Sequence, residues 1–500
     1  MSQTQSTKLL EKLPVILVGG FFLLSSLLTS CMDDANFSTS PDDKLSFSQD
    51  SVAFDTVISG TITNTYTFQV YNRTNKALRI SQVYIEGGKT SPFKANVDGT
   101  FLYGGSASDF ELTPGDSLRV FLNVSAPVSG EEAPRKISDK LIFLTESSVR
   151  QEVVLLAYGQ DVENMRAVTV NTDSSLTSRK PYQIFDSLVV AKGVTLTLTA
   201  GTRLYFHAGA NLIVHGRIIV EGTREKPVIF RGDRLGNMFS KQPYDRIPGQ
   251  WGGIVLTQSS YGNELRYADI HSGTFGVRCD SSDVTRSKIK IENSIIHNVS
   301  GDALYSRSNQ IFASNSQITN AGGNCITLFG GDATFIHCTI ANFYSFTGGR
   351  GVALSYSNAD GASRLPLIRA DFFNCLITGY SDDEIMGNQS ERYKDDAFNY
   401  SFHSCLLDTP EIENEHIVNC LWDNDEYSEF FREKNFYPEF DLDQLIFTFS
   451  LNGNSQAVGN ADTSVTAIYC PTDIKGNKRL SDGKADIGCY EHQTVSKEGK

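Results

Sequence analysis

The sequence lacks an excess of basic residues. It contains 44 Lys and Arg against 58 Asp and Glu, which gives a net charge of −14. Because phosphate binding requires a concentrated positive surface, this balance argues against nucleic acid as a partner. Acidic polysaccharides are also repelled on average, although a local groove of Arg and Lys could still bind them.

Beyond its first thirty residues, the sequence also lacks any hydrophobic stretch that could cross a bilayer. Within those residues, the apolar run LPVILVGGFFLLSSLL follows Lys8 and Lys12, and LTSC occupies residues 28–31. The run has the length of the hydrophobic region of a signal peptide and is short for a membrane span. It therefore predicts a signal peptide over residues 1–30.

The LTSC segment resembles the lipobox of bacterial lipoproteins, in which the cysteine becomes the lipidated first residue of the mature chain. This resemblance implies an outer-membrane lipid anchor at Cys31, with a plain signal peptide or a buried cysteine as alternatives. Asp33 and Asp34 resemble the acidic export signal of surface lipoproteins in the Bacteroidetes. We expect a lipid-anchored, surface-exposed protein of the cell outer membrane, with periplasmic display as the alternative. Residues 31–44 are polar, as a tether should be.

Residues 45–161 contain no cysteine and alternate between apolar and polar positions. The period of two is clear in TYTFQVYN (65–72), LRISQVYI (78–85) and SLRVFLNV (117–124), with Pro, Gly and Asn breaks between the strands. About seven such strands suit an immunoglobulin-type β-sandwich without the inter-sheet disulfide. The region resembles the Ig-like modules that precede larger domains in bacterial envelope proteins, which implies a spacer.

A short phrase then recurs at a fixed interval. Asn293-Ser-Ile-Ile, Asn315-Ser-Gln-Ile and His337-Cys-Thr-Ile begin 22 residues apart. A fixed period of this size indicates a repeat architecture. A unit with two or three short strands cannot bury its own apolar face, whereas stacked copies can.

The repeat predicts columns of equivalent side chains. Asn at the corner tolerates a left-handed backbone, and its amide can bind the same residue one coil up. The small column that follows contains four cysteines. An exported protein favours disulfides, but small thiols suit a crowded interior, so we expect these cysteines to be reduced. The corner column is Asn293, Asn315, Asn374 and Asn419, and the small column is Ser294, Ser316, Cys338, Cys375, Cys405 and Cys420.

Further motifs resemble the right-handed parallel β-helix proteins of bacterial envelopes. They are HGRIIVEGTREKPVIF (215–230), GQWGGI (249–254) and RYADI (266–270). DIGCYE (486–491) resembles the C-terminal Asp-Ile-Gly-x-Tyr-Glu motif of such proteins, although Cys489 stands where Ala is more usual. The resemblance implies an all-β chain with an N-terminal Ig-like β-sandwich (45–161), a right-handed parallel β-helix with a C-terminal cap (175–491) and a tail (492–500).

Many parallel β-helices cleave polysaccharides, so catalytic signatures matter. Elimination of the pectate-lyase type needs acidic Ca²⁺ ligands and an Arg or Lys base, and hydrolysis uses clustered Asp residues. The sequence contains neither the paired-Asp signature of the hydrolases nor the Arg-Pro signature of the lyases, and no catalytic residue can be named. CxxC spacing is absent, which argues against a zinc site. Seven histidines are scattered and predicted to be structural: His207, His215, His271, His297, His337, His403 and His416.

The richest polar sequences lie in two insertions, residues 343–364 and 379–396. These could roof a groove, or they could be ordinary solvated loops. No cofactor is expected other than a possible Ca²⁺ ion. The candidate Ca²⁺ ligands are Asp382, Asp383, Glu384, Asp395 and Asp396, and the candidate ligand-binding residues are Arg350, Tyr356, Arg364, Arg392 and Tyr393.

These observations favour a non-catalytic envelope protein that binds a glycan or another surface partner, including a surface protein, through the β-helix face and its insertions. Exposed aromatic and amide side chains can stack on sugar rings and bind hydroxyls. The alternatives are a polysaccharide lyase or glycoside hydrolase and a purely structural scaffold.

Overall fold

The structure is a computed structural model that describes residues 36–239, 242–423, 435–436, 440–441 and 446–493. The chain divides into two compact units. Of the described residues, the first unit contains 36–54, 62–125 and 137–157, and the second contains 55–61, 126–136 and those from residue 158 onward. Among the described residues, no helix combines the length and hydrophobicity needed to span a bilayer.

The first unit contains a β-sandwich. Apolar side chains alternate inward, as along Leu78–Ile85, where every second residue is buried over the first half of the strand. The sandwich has ten strands in two five-stranded sheets, whereas about seven strands were expected. The number is higher because short strands extend the edges of the sandwich. The strands of the first sheet are, in spatial order, Ser46–Phe47, Tyr66–Tyr71, Ser117–Val124, Phe93–Val97 and Thr100–Phe101. Those of the second sheet are Ser51–Ile58, Arg150–Gln160, Arg135–Thr145, Leu78–Ile85 and Ser106–Leu112.

Part of the predicted tether belongs to this unit. Phe37 forms a parallel bridge with Ala77, and the guanidinium of Arg79 lies 4.0 Å from the centre of the Phe37 ring. Ser38 is buried. The tether boundary at residue 44 is therefore wrong, because the chain already packs on the sandwich from Phe37.

The second unit is a parallel β-helix with up to three strands per coil, which confirms the predicted fold class. Equivalent strands of successive coils pair in parallel and form three faces. Its first strand begins at Glu163, before the predicted boundary at residue 175. Face 1 begins with the first halves of Glu163–Val170 and Tyr182–Val190 and continues with Arg203–Phe206, Val228–Gly232, Ala268–His271, Ile295–Val299, Gln317–Ala321, Thr339–Asn342, Leu376–Gly379, Leu406–Leu407 and Leu421–Trp422.

The other two faces follow the same order along the chain. Face 2 begins with the second halves of the same two long strands and continues with Asn211–Val214, Gly253–Leu256, Val277–Cys279, Leu304–Arg307, Ile326–Phe329, Leu354–Ser357 and Ile385–Asn388. Face 3 consists of Ser174–Leu176, Thr195–Thr199, Arg217–Glu221, Asn263–Arg266, Ser287–Glu292, Gln310–Ser314, Gly331–Ile336, Leu367–Phe373, Ser401–His403 and Ile417–Val418. Short antiparallel hairpins outside the faces are Asn237–Phe239 with Gln242–Pro243, Ala359–Asp360 with Ser363–Arg364, and Phe440–Asp441 with Ile446–Phe447.

The interior confirms the predicted small column. The backbone N–H of Ser294 donates to Ser316 Oγ at 3.1 Å, and the N–H of Cys375 donates to Cys405 Sγ at 3.3 Å. Each bond joins one coil to the next, so the column is vertically aligned.

The cysteines of the described chain are all free, as predicted. Burial raises the pKa of Cys279 and Cys489 to about 12. These thiols therefore stay protonated, and protonated thiols are poor nucleophiles and poor metal ligands.

The corner between face 3 and face 1 has a left-handed backbone in successive coils. Asn315 Nδ2 donates to Asn293 Oδ1 at 2.6 Å, as a corner ladder requires. Asn is favoured here because its short polar side chain tolerates this conformation. The corner residues have φ between 49° and 54° and are Tyr267, Asn293, Asn315, His337, Asn374, Ser404 and Asn419.

The carboxyl-terminal segment, residues 446–493, packs along the side of the β-helix. It contains one short helix, Thr463–Tyr469, and it covers apolar side chains that project outward from face 1, including Leu376 and Leu406. Arg479 is fully buried and donates to Asn315 Oδ1 and Glu491 Oε2 at 2.9 and 3.1 Å. The segment that contains the predicted cap motif thus seals an apolar flank of face 1.

Candidate functional site

A pocket of about 300 Å³ lies between the outer surface of face 1 and the carboxyl-terminal segment. It combines two tyrosine rings and aliphatic groups with charged and amide side chains. Its volume is at the lower end of the range for small-molecule sites. The lining residues are Arg224, Pro227, Tyr267, Ala268, Asp269, Asn293, Ile295, Ile474, Lys475 and Tyr490.

Tyr267 occupies a corner where the next coil carries Asn293. Its φ is 49°, a conformation that is unfavourable for a bulky aromatic residue. Strained positions of this kind concentrate at functional sites. Tyr267 lines the pocket. A role in the pocket would explain why a tyrosine occupies a corner whose backbone conformation disfavours it.

The opposite wall comes from the carboxyl-terminal segment. Tyr490 is buried, and its hydroxyl donates to Gln317 Oε1 at 2.6 Å. Lys475 Nζ lies 5.2 Å from the centre of the Tyr490 ring. Arg224 Nη1 donates to the Lys475 carbonyl at 2.8 Å and so joins the two walls. The pocket therefore depends on the docking of this segment.

A cluster of two histidines and two aspartates adjoins the pocket through Asp269. His271 Nδ1 is 2.8 Å from Asp269 Oδ1, and His271 Nε2 is 2.8 Å from Asp245 Oδ1. His297 Nε2 is 3.3 Å from Asp269 Oδ1. Arg231 Nη1 pairs with Asp245 Oδ1 at 2.6 Å. We call Asp245, Asp269, His271 and His297 the His–Asp cluster.

The cluster is strongly charged. Burial opposes ionisation of Asp245 and Asp269, but the hydrogen bonds and charge of His271 outweigh it, so the pKa of Asp245 falls to about 2 and that of Asp269 falls well below its usual range. Burial also disfavours the imidazolium of His271, but the two carboxylates raise its pKa to about 9. Two carboxylates thus hold one imidazolium between them at neutral pH.

The candidate residues in the two insertions have mainly structural contacts. Glu384 is fully buried, pairs with Arg350 Nη2 at 2.6 Å and accepts the N–H of Ala353 at 2.8 Å. Arg364 Nε donates to Asp396 Oδ2 at 2.6 Å. These pairs fix the insertions to the coils.

Tyr356 and Tyr393 are also engaged in the fold. Tyr356 is buried beside Phe398 and Tyr400, and this burial raises the pKa of its hydroxyl. Tyr393 donates to the Ala362 carbonyl at 2.6 Å, so the two insertions do touch each other. Arg392 lies against Tyr393, with 5.4 Å between the guanidinium and the ring centre.

The five acids proposed for Ca²⁺ do not converge. Asp382 and Asp395 are exposed, and Asp383 accepts from Thr409 Oγ1 at 2.8 Å. In the part of the chain that the structure describes, one group of three side chains places its ligand atoms within 4.8 Å of one another, and it is Asp269, His271 and His297.

Sequence reasoning missed the pairing of His271 with His297. The two residues are 26 positions apart, which is not a local ligand spacing, so the sequence alone predicts that they are structural. Parallel pairing aligns Ala268–His271 with Ile295–Val299 so that His271 lies opposite His297. The signal was present in the repeat, because both histidines follow an isoleucine in equivalent strands (DIH and IIH).

Comparison with known proteins supports the fold of the second unit. Residues 168–329 match a family model described as a pectate-lyase like beta helix domain. The chain therefore contains a pectate-lyase-like parallel β-helix domain preceded by a β-sandwich. This fold is used by carbohydrate-active enzymes and by binding proteins, so it leaves the specific activity open.

Individual similarities are partial. Over 113 residues the chain is 33% identical to the "Protein bark beetle" of Drosophila melanogaster. The aligned region covers 21% of this chain and 4% of that protein. The catalytic unit of a GH87 alpha-1,3-glucanase from Streptomyces thermodiastaticus is 11% identical with a TM-score of 0.22, covering 71% of this chain and 75% of that chain. A human CEP192 PapD-like domain is 10% identical with a TM-score of 0.18, and the match covers 27% of this chain and 97% of that chain. Similarity at these TM-scores carries no argument about function.

Proposed function

We propose that this protein binds a glycan without cleaving it, in the pocket between face 1 and the carboxyl-terminal segment. The observation that carries the proposal is the lining of that pocket, where Tyr267 and Tyr490 lie beside Asp269, Asn293 and Lys475. The proposal moves the binding site from the insertions, where the candidate side chains mainly hold the fold together.

The lining matches the chemistry of a sugar. Sugar hydroxyls both donate and accept hydrogen bonds, so they suit a carboxylate, an amide and an ammonium group in one pocket. Tyrosine rings provide apolar faces with polar edges. Lys475 adds positive charge in a chain of net charge −14, whereas the charge of Arg224 is paired with Glu225 at 2.6 Å. Uronic-acid polymers therefore belong in the test alongside neutral glycans.

The same site gives little support to hydrolysis. Glycoside hydrolases need one carboxyl group with a raised pKa as general acid beside an ionised one. Asp269 lines the pocket and Asp245 adjoins it, and both have lowered pKa values. The lyase or hydrolase alternative remains favoured only by the pectate-lyase-like fold of residues 168–329.

The experiment is to test the full chain against plant, host and microbial polysaccharides by affinity electrophoresis, while reducing ends and unsaturated products are followed. We expect retardation by at least one polysaccharide and no product. Release of either product would replace the binding proposal with the enzyme alternative, and no retardation by any polysaccharide would reject glycan binding.

The lipid anchor at Cys31 and display on the cell outer membrane are also part of the proposal. They are supported by the LTSC segment and by Asp33 and Asp34, which lie outside the described residues. In a bacterial host of the Bacteroidetes type, we expect incorporation of a labelled fatty acid into the chain, its loss in Cys31→Ser, and cleavage by protease added to intact cells. Labelling that persists in the variant would contradict the anchor.

A further inference from the structure

We infer that Asp269, His271 and His297 bind a single transition-metal ion, best matched by Zn²⁺, on the outer surface of face 1. The ligand atoms come from two adjacent coils, because His271 lies opposite His297 in the parallel pairing. All three atoms lie within 4.8 Å of one another. The site shares Asp269 with the pocket, but the inference does not rest on the proposed glycan function.

The distances are close to those of a bound ion. Zinc bonds of about 2.0–2.1 Å in a tetrahedral site separate the ligand atoms by roughly 3.3–3.4 Å. Asp269 Oδ1 is already 3.3 Å from His297 Nε2. It is 2.8 Å from His271 Nδ1, so this pair needs to open by only roughly half an ångström.

The second nitrogen of His271 has the partner that metal-bound histidines usually have. His271 Nε2 is 2.8 Å from Asp245 Oδ1 and keeps its proton in that hydrogen bond. The ion takes the place of the proton between His271 Nδ1 and Asp269, and that proton is released to solvent. Arg231 Nη1 pairs with the same oxygen of Asp245 at 2.6 Å. Such carboxylate–histidine pairs orient the ring and raise its basicity as a ligand. The arrangement therefore provides an outer layer as well as three ligands.

The site is also accessible. The side chains of His297 and Asp269 are 23% and 30% exposed, whereas that of His271 is 7% exposed. With one buried protein ligand and two partly exposed ones, the ion keeps one coordination position open to water or to an external molecule. Two imidazoles with one carboxylate suit zinc and similar ions, whereas Ca²⁺ and Mg²⁺ prefer oxygen ligands alone.

The test is titration of the chelator-treated full chain with Zn²⁺ by calorimetry, followed by Co²⁺ with its visible absorption. We expect one Zn²⁺ per chain. His297→Ala, which removes a ligand, should weaken binding more than Asp245→Asn, which removes only the outer partner and should weaken it about 10–100-fold. His207→Ala is the matched control, since His207 is an exposed histidine that pairs with one carboxylate, Asp233, at 2.9 Å.

Thermal unfolding in chelator shows whether each variant is folded, and variants with unfolding temperatures near that of the wild type are compared. Equal affinity of wild type and His297→Ala would overturn the site. So would the absence of saturable one-to-one binding, tighter binding of Ca²⁺ than of Zn²⁺, or cysteine-to-cobalt charge-transfer bands in the Co²⁺ spectrum.

Discussion

At the scale of the residue, Tyr267 is the clearest conflict between backbone preference and side-chain identity. Its corner has a φ of 49° and is Asn in four other coils, at residues 293, 315, 374 and 419. We expect Tyr267→Asn to keep the free energy of unfolding within about 1 kcal/mol of wild type or to raise it, because Asn tolerates this conformation better. Urea unfolding measures it. A loss of several kcal/mol would show that the ring supports the fold.

Asp408 gives a prediction about pH. It is buried on face 1 beside Asp423, and burial together with that negative charge raises its pKa to about 7. The folded state therefore holds the proton more tightly than the unfolded state, whose pKa is near 3.9. The resulting stabilisation is full below about pH 4 and is lost as the pH rises through 7.

Replacing Asp408 with Asn should remove that pH dependence. We expect Asp408→Asn to match the wild type near pH 4 and to be more stable by roughly 1–3 kcal/mol near pH 8. Thermal unfolding between pH 4 and 8 checks this, with the exposed Asp382→Asn as control. A stability difference that does not change with pH would contradict the raised pKa.

At the scale of the element, the small interior column has a defined size limit. Ser294 and Ser316 occupy the positions that Cys338 and Cys375 occupy in later coils, and all four are fully buried. We expect Cys375→Ser to be tolerated and Cys375→Leu to lower the free energy of unfolding by about 1–3 kcal/mol, because the larger side chain overpacks a closed coil. Urea unfolding compares the two, and equal stability would contradict the packing.

One buried cation, Arg479, helps to hold the carboxyl-terminal segment on the β-helix. Arg479 reaches Asn315, Glu491 and the Gly488 carbonyl. Arg479→Ala should detach the segment at a cost of about 3–5 kcal/mol, because Glu491, Asn315 and the carbonyls of Asp486 and Gly488 lose their partner. Hydrogen exchange should rise in residues 473–491 while the interior strands stay protected. Uniform exchange across the β-helix would instead indicate global unfolding and contradict a separable segment.

At the scale of the whole molecule, the sequence predicted the repeating architecture well. The 22-residue interval fixed the interior column and the Asn corner because each coil repeats the same contacts, and the structure confirms both. The boundaries of the two domains were less predictable. The β-helix begins at Glu163 because that strand pairs with Tyr182–Val190, and the sandwich begins near Phe37 because Phe37 bridges to Ala77. Neither pairing is visible in the local sequence.

The candidate site could not be predicted from the sequence. Glu384 and Arg350 read as an exposed polar insertion, yet they form a buried pair. The sequence predicts structural roles for His271 and His297, and Tyr267 stands out only as part of the RYADI motif. Coil stacking brings the two histidines together, and the docked segment places Tyr267 at a pocket. Local patterns predict which residues face outward, but not which outward residues another segment covers.

The most direct test of the account is calorimetric titration of the best-retarding polysaccharide into wild type, Tyr267→Asn and the control Tyr261→Asn. Tyr261 is a half-buried tyrosine that does not line the pocket. We predict that Tyr267→Asn binds roughly tenfold or more weakly, a loss of about 1.4 kcal/mol, while its stability is retained and Tyr261→Asn binds like the wild type. Equal affinity for all three proteins would contradict glycan binding in this pocket.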